Sequence, residues 1–187
     1  LLRWHHPQQG VISPARFIHI AEQTSLILDI GRWVLRSACE QGRRWLDQGF
    51  DFGRLGVNVA GRQVHDREFA SGVERTLTET GLPLSHLELE ISENFVMRRA
   101  DASVEKLQTL YAQGIGIAID DFGTGYSSLA HLKRLPITRI KLDQSFVRGI
   151  PKEQDDMAIC DAVIAISRAL GLAVISEGVE TQEQADF

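Results

Sequence analysis

Short apolar runs alternate with amphipathic stretches along most of this chain, and that rhythm sets the expected fold. Leu55–Asn58, Leu87–Ile91, Ile115–Asp120, Arg139–Leu142 and Leu172–Ser176 read as strands: brief, apolar and bounded by turn-forming residues. Between them the spacing predicts helices over Arg67–Thr80, Ala102–Gln113 and Gln154–Leu170, with a short one near Ser128–Arg134 and another starting at Gln182. Upstream, Ser13-Pro14 combines a capping hydroxyl with a first-turn proline and predicts a helix to about Thr24 through Phe17, Ile18 and Ala21. A longer helix is expected over Asp29–Asp47, with Ile30, Trp33, Val34, Ala38 and Trp45 as its apolar stripe and Gly49 as its stop. On that pattern Trp33 and Trp45 belong to the core.

Strands alternating with helices imply βαβ units and a mainly parallel sheet. The run Leu172-Ala173-Val174-Ile175 is apolar on both faces, which predicts a strand covered on both sides. With about six strands in view, a (β/α)8 TIM-type barrel, incomplete at both ends in this chain, fits better than an open doubly wound sheet. No low-complexity linker divides the sequence, so one domain over residues 1–187 is expected. The chain opens on Leu1-Leu2-Arg3-Trp4 and closes on Ala185-Asp186-Phe187 inside a helical pattern, as a segment of a longer polypeptide would.

Composition narrows the functional classes. The 187 residues are 43% hydrophobic and 24% charged, with a net charge of -5 and acids and bases intermixed, an ordinary globular balance. The dense basic patch of a nucleic-acid binder is missing. Cys39 and Cys160 both lie in apolar helical patterns, so reduced buried thiols and a cytoplasmic setting are expected. No run is long enough to span a bilayer, and no signal peptide opens the chain. His5, His6, His19, His65, His86 and His131 are scattered without metal spacing, and no GxGxxG, Walker A, GxSxG or CxxC pattern occurs.

The chemistry collects at strand ends. Asp120 and Asp121 stand side by side where an apolar run gives way to Gly123 and Gly125. Neighbouring strand residues point to opposite faces, so both carboxylates reach one site only if the backbone turns there, which glycine permits. Such a pair is either a solvated turn or an anionic pair held by a cation. The remaining strands decide between these readings. Asn58, Glu90, Lys141 and Glu177 all stand at or near the C-terminal ends of predicted strands, and in a barrel those ends converge on one rim. The donors are hard oxygens, suited to Mg²⁺ or Mn²⁺ rather than zinc. Asn58, Glu90, Asp120 and Asp121 suffice for two divalent ions, a pair about 3.5–4 Å apart that clamps the attacking and leaving oxygens of a phosphodiester. Lys141 would orient or help deprotonate a water, or neutralise developing charge; Glu177 would add a ligand or hold that water.

These residues fall in segments that resemble the EAL-domain phosphodiesterases of bacterial cyclic-di-GMP signalling. The resemblance is carried by Leu1-Leu2-Arg3-Trp4 with His6-Pro7, by Asn58-Val59 and by Glu88-Leu89-Glu90-Ile91-Ser92-Glu93. Further on it is carried by Asp120-Asp121-Phe122-Gly123-Thr124-Gly125-Tyr126-Ser127-Ser128-Leu129, Ile140-Lys141-Leu142-Asp143 and Ser176-Glu177-Gly178-Val179-Glu180-Thr181. It covers essentially the whole chain. It implies a barrel that hydrolyses cyclic-di-GMP to linear pGpG with Mg²⁺ or Mn²⁺. Asn58, Glu90, Asp120 and Asp121 resemble the metal ligands, Lys141 the residue holding the catalytic water, and Glu177 a further site carboxylate. Arg3 and Asp143 resemble substrate-binding residues; for Arg3 a guanidinium suits a phosphate. Glu93 resembles the glutamate that steadies the loop after Asp121; Phe122, Gly123, Thr124 and Gly125 belong to that loop, which the family ties to metal retention and dimerisation. The resemblance further implies a homodimer, fusion to sensory or GGDEF-type domains and possible tethering of the parent protein to a membrane. Two family features fall outside the sequence: the glutamate of the EAL motif, two positions before Leu1, and a glutamine segment beyond Phe187. Ser92 replaces the usual threonine. The competing reading is a receptor domain that binds cyclic-di-GMP without cleaving it.

Overall fold

The computed structural model describes residues 2–98, 100–125 and 129–187, with the side chains of residues 97–103 and 131 left aside. A short antiparallel hairpin opens it, β1 (Trp4–His6) with β2 (Gly10–Ile12); the sequence pattern had not signalled it. Helices α1 (Pro14–Gln23) and α2 (Leu26–Asp47) follow. Pro14 stands in the first turn of α1 as expected, but the Ser13 hydroxyl makes no capping hydrogen bond.

Five parallel strands then line up in chain order: β3 (Leu55–Val59), β4 (Leu87–Ser92), β5 (Gly116–Phe122), β6 (Arg139–Leu142) and β7 (Ala173–Ser176). The crossovers carry α3 (Gly61–His65) and α4 (Phe69–Thr80), α5 (Glu93–Arg98) and α6 (Ala100–Ala112), α7 (Leu129–Leu132), and α8 (Gln144–Val147) with α9 (Gln154–Ala169); α10 (Gln182–Asp186) comes last. The expected parallel α/β architecture is present, as an open five-stranded arc that fits a barrel unclosed within this chain. Ser128, in the expected short helix, lies outside the described residues, as do Leu1, Tyr126 and Ser127.

Period-two alternation divides the sheet. One set of side chains (Leu87, Leu89, Ile91, Ile115, Ile117, Ile119, Ile140 and Leu142) is sealed into the main hydrophobic core. The other set, on the opposite face, is charged or small: Asn58, Glu88, Glu90, Gly116, Ala118, Asp120, Arg139 and Lys141.

Two packing expectations fail. Helix α2 buries Ile27, Gly31, Leu35, Cys39 and Gly42; of the expected stripe, Val34 and Ala38 pack half-buried against the core and Trp45 is half-buried, edge-on to Phe52, but Trp33 is 59% exposed. Glycines permit the close approach: a Cβ on Gly31 would strike the Gln63 side chain. Strand β7 is the sheet's edge among the described residues rather than covered on both faces, and Ile175, in register with Lys141 on the charged face, is 40% exposed. Both cysteines are free and buried, and burial pushes the Cys39 thiol up to about 11. No helix among the described residues is long and apolar enough to cross a membrane.

Candidate metal and phosphodiester site

Parallel pairing brings the strand-end residues to one rim. Asn58 stands in register with Glu90, and Asp120 with Ser92 one step further up the same face. Lys141 enters from β6 and becomes the hub. Its Nζ lies 3.0 Å from Glu90 Oε2, 3.0 Å from Asp120 Oδ1 and 2.7 Å from Glu177 Oε1. Asn58 Nδ2 donates to the same Glu90 oxygen at 3.0 Å. Gly56 makes room: a Cβ there would collide with Glu90 Oε1.

The adjacent aspartates reach one site by a means other than the expected turn at the glycines. The turn begins at Asp121 itself, whose φ of 54° is left-handed, at a register irregularity between β5 and β6. Aspartate is among the few non-glycine residues that tolerate this conformation. Carboxylate oxygens of Asp120, Asp121 and Glu177 thereby come within 4.8 Å of one another. Gly123 continues the turn at φ 99°, where a Cβ would run into the Phe146 ring. Buried Glu93 fastens the loop, its Oε2 accepting from the Gly123 and Gly125 amides at 2.8 and 3.1 Å. Phe122 is buried beneath, and Thr124 donates its hydroxyl to the Asp121 carbonyl at 2.8 Å.

Burial and charge together set the proton affinities. Burial would lower the Lys141 pKa, yet hydrogen bonds to Glu177, Asp120 and Glu90 more than reverse this and hold it above its ordinary value. Lys141 is therefore a fixed cation at neutral pH, suited to orienting or neutralising rather than accepting a proton. Burial raises the Glu90 carboxyl against the opposing pull of Lys141. Burial also raises Asp121, with repulsion from Asp120, Asp143 and Glu177 adding to it.

Neither expected substrate residue joins the ion pairs of this cluster, although Asp143 stands close enough to Asp121 for its charge to raise that carboxyl. Arg3 is exposed just before β1, its Nη1 donating to the Leu2 carbonyl at 2.9 Å. Asp143 caps α8, accepting from the Ser145 amide at 2.9 Å, and that bonding holds its pKa down.

The donor set fits a hard divalent cation. All the converging ligands are oxygens. Asp120 Oδ1 is buried, with Lys141 Nζ at 3.0 Å as its counter-charge. Asp120, Asp121 and Glu177 could thus hold a metal ion.

Sequence reading missed the layer beneath. Buried Glu88 meets Arg139 Nη1 at 2.5 Å and Arg54 Nη1 at 3.7 Å. Its signal was available in the matched alternation of Glu88/Glu90 on β4 and Arg139/Lys141 on β6.

Parallel α/β topology with a strand-end oxygen cluster defines a class of metal-assisted site, and comparison with known proteins names its family. The EAL domain family model matches residues 1–187, and the chain belongs to the EAL domain family. It is 47% identical over 187 residues to the bifunctional diguanylate cyclase/cyclic di-GMP phosphodiesterase MucR of Pseudomonas aeruginosa, covering 100% of this chain and 27% of that protein. To the cyclic di-GMP phosphodiesterase NbdA of the same species it is 42% identical, covering 100% of this chain and 24% of that protein. The chain thus spans about a quarter of the length of these curated relatives. Among solved structures, the PaMucR phosphodiesterase in its c-di-GMP complex superposes with a TM-score of 0.95 at 47% identity, covering 100% of this chain and 75% of that one. The EAL enzyme Bd1971, bound to cAMP and cyclic-di-GMP, superposes with a TM-score of 0.93 at 34% identity, covering 99% and 51%.

Proposed function

We propose that this chain is the phosphodiesterase domain of a larger bacterial signalling protein and hydrolyses cyclic-di-GMP to linear pGpG with two divalent ions, Mg²⁺ or Mn²⁺. The observation that carries this reading is the meeting of Asp120, Asp121 and Glu177 around the Lys141 hub. The naming of similar proteins as cyclic di-GMP phosphodiesterases supports the substrate. Asn58, Glu90, Asp120 and Asp121 would hold the ions, with Glu177 as a further ligand or as the anchor of the attacking water. When bound, the ions supply Lewis-acid chemistry, activating water and offsetting phosphate charge. Lys141, already charged, fixes the carboxylates and orients the water. Glu93 keeps the Asp121 loop in place through two backbone amides. Arg3 and Asp143 contribute to substrate binding, Arg3 through its guanidinium on a phosphate. Hydrolysis adds one water across one P–O bond of the ring and leaves a 5′-phosphate on pGpG.

The domain works in the cytoplasm, pairs with a second copy through the loop beginning at Phe122, and is joined to sensory or GGDEF-type domains in the parent. Chromatography of cyclic-di-GMP incubated with the protein tests the reading. pGpG forms with Mg²⁺ or Mn²⁺ and stops with chelator; tight binding with no product would establish the receptor reading instead.

A further inference from the structure

The inward sheet face carries two tiers of opposite charge balance. The upper tier sets three anions, Glu90, Asp120 and Glu177, around the single cation Lys141. The lower tier sets two cations, Arg54 and Arg139, around the single anion Glu88. Each tier contains a pair reaching from β4 to β6 over the intervening β5: Glu90 to Lys141, and Glu88 to Arg139. Two inter-strand spacings separate those strands by about 9–10 Å, so the pairs close only over a strand with little side chain in the way. β5 supplies Gly116 and Ala118 on this face, and a Cβ on Gly116 would collide with Arg54 Nη1. The lower tier is built rather than incidental. Glu88 is 2% exposed, its second oxygen also lies 3.5 Å from the Thr138 hydroxyl, and Arg139 Nε is buried without a hydrogen-bond partner among the described residues. The two guanidiniums are a quarter to a third exposed, so the surplus positive charge of the floor acts on the carboxylates above it through partial solvent screening.

We propose that Arg54, Glu88 and Arg139 form a cationic floor that positions the upper tier across β5 and sets how tightly it holds divalent ions. None of the three belongs to the upper tier; they act through it as positioning residues. The inference rests on the metal reading above, and its distinctive consequence is a sign. Removing the floor's anion makes it more cationic and repels a divalent ion; removing a floor cation does the reverse. A merely structural role would loosen the site in both cases and weaken binding in both.

The test is calorimetric titration of Mn²⁺ alone into the protein, without substrate. Glu88→Gln should weaken the affinity by about 3- to 10-fold and Arg139→Gln strengthen it by a similar factor, the size expected of one charge about 6–10 Å from a divalent ion when solvent screening is close to that of water. Arg139→Lys should stay near wild type. Arg54, one-third exposed, is the mild variant should the others unfold, and Arg54→Gln should tighten binding by a smaller factor. Shifts of the same sign for anion and cation removal, or none in any folded variant, overturn the cationic floor while leaving the metal reading intact. Failure of the wild-type protein to bind Mn²⁺ overturns the metal reading and the floor with it.

Discussion

The two faces of the sheet share strands but follow opposite rules. On the helix-facing side Leu89, Ile91, Ile117, Ile119 and Ile140 are fully enclosed and interchangeable in kind; what matters there is volume. On the other side Glu90, Asp120 and Lys141 are chosen for charge and reach, and the residues between them are small so that long side chains can cross. The difference teaches that one stretch such as Leu87-Glu88-Leu89-Glu90-Ile91 encodes both a core and a site, at alternate positions. Damage to one face should register as lost stability, and damage to the other as lost chemistry.

The comparison breaks most sharply at Asp120 and Lys141. Asp120→Asn should cut cyclic-di-GMP turnover by about a thousand-fold or more while leaving the fold cooperative, a loss typical when a group acting on the reacting centre is removed. Lys141→Ala should cut turnover similarly. It also strips the counter-charge from three carboxylates, so its metal-free melting temperature should fall and Mn²⁺ should raise it further than in wild type, as differential scanning calorimetry would show. Wild-type turnover in either variant removes the roles assigned here.

Ile119→Ala is the matching change on the other face. It should cost about 2–5 kcal/mol in denaturant unfolding, as buried large-to-small changes do, with near-normal turnover in the fraction that remains folded. Glu93→Gln sits between the two faces: removing the acceptor's charge from the Gly123 and Gly125 amides should cost about 1–3 kcal/mol and reduce Mn²⁺ affinity through the Asp121 loop.

The smallest effects concern protons. Glu90 and Asp121 hold protons more tightly than ordinary carboxyls. In the metal-free protein their ionisation therefore subtracts stability as pH rises from the ordinary carboxylate range through their raised values. For metal the sign reverses: Mn²⁺ affinity should fall as pH drops, beginning above the ordinary carboxylate range. Asp143 has a depressed pKa, so its cap contributes stability above the unfolded value and loses it as pH falls through the folded one. Asp143→Ala should cost about 1 kcal/mol near neutrality and flatten the acid limb of the stability curve; an unchanged acid limb would contradict the capping role.

Much of this was legible in the sequence for a physical reason. Strands β3 to β6 carry apolar alternate positions with polar residues near their C-terminal ends, so both their existence and the rim could be read. The short helices α3, α5 and α8 escaped because runs of four to six residues complete too few turns to show a period. The buried stripe of α2 was misread because Gly31 and Gly42 mark it by closeness of packing rather than by hydrophobicity. Arg54, Glu88 and Arg139 went unread as a group, since Glu88 and Arg139 lie 51 residues apart and show only as a matched alternation on two strands, not as a local motif.

The central claim is that the Lys141-centred carboxylates form a metal-dependent phosphodiesterase site. The most direct measurement follows pGpG formation from cyclic-di-GMP against Mn²⁺ concentration, for wild type and Asp120→Asn side by side. The account predicts product that rises with Mn²⁺ and saturates in the wild type, and almost none in the variant. Equal rates in the two proteins, or wild-type product unchanged by chelator, would contradict it.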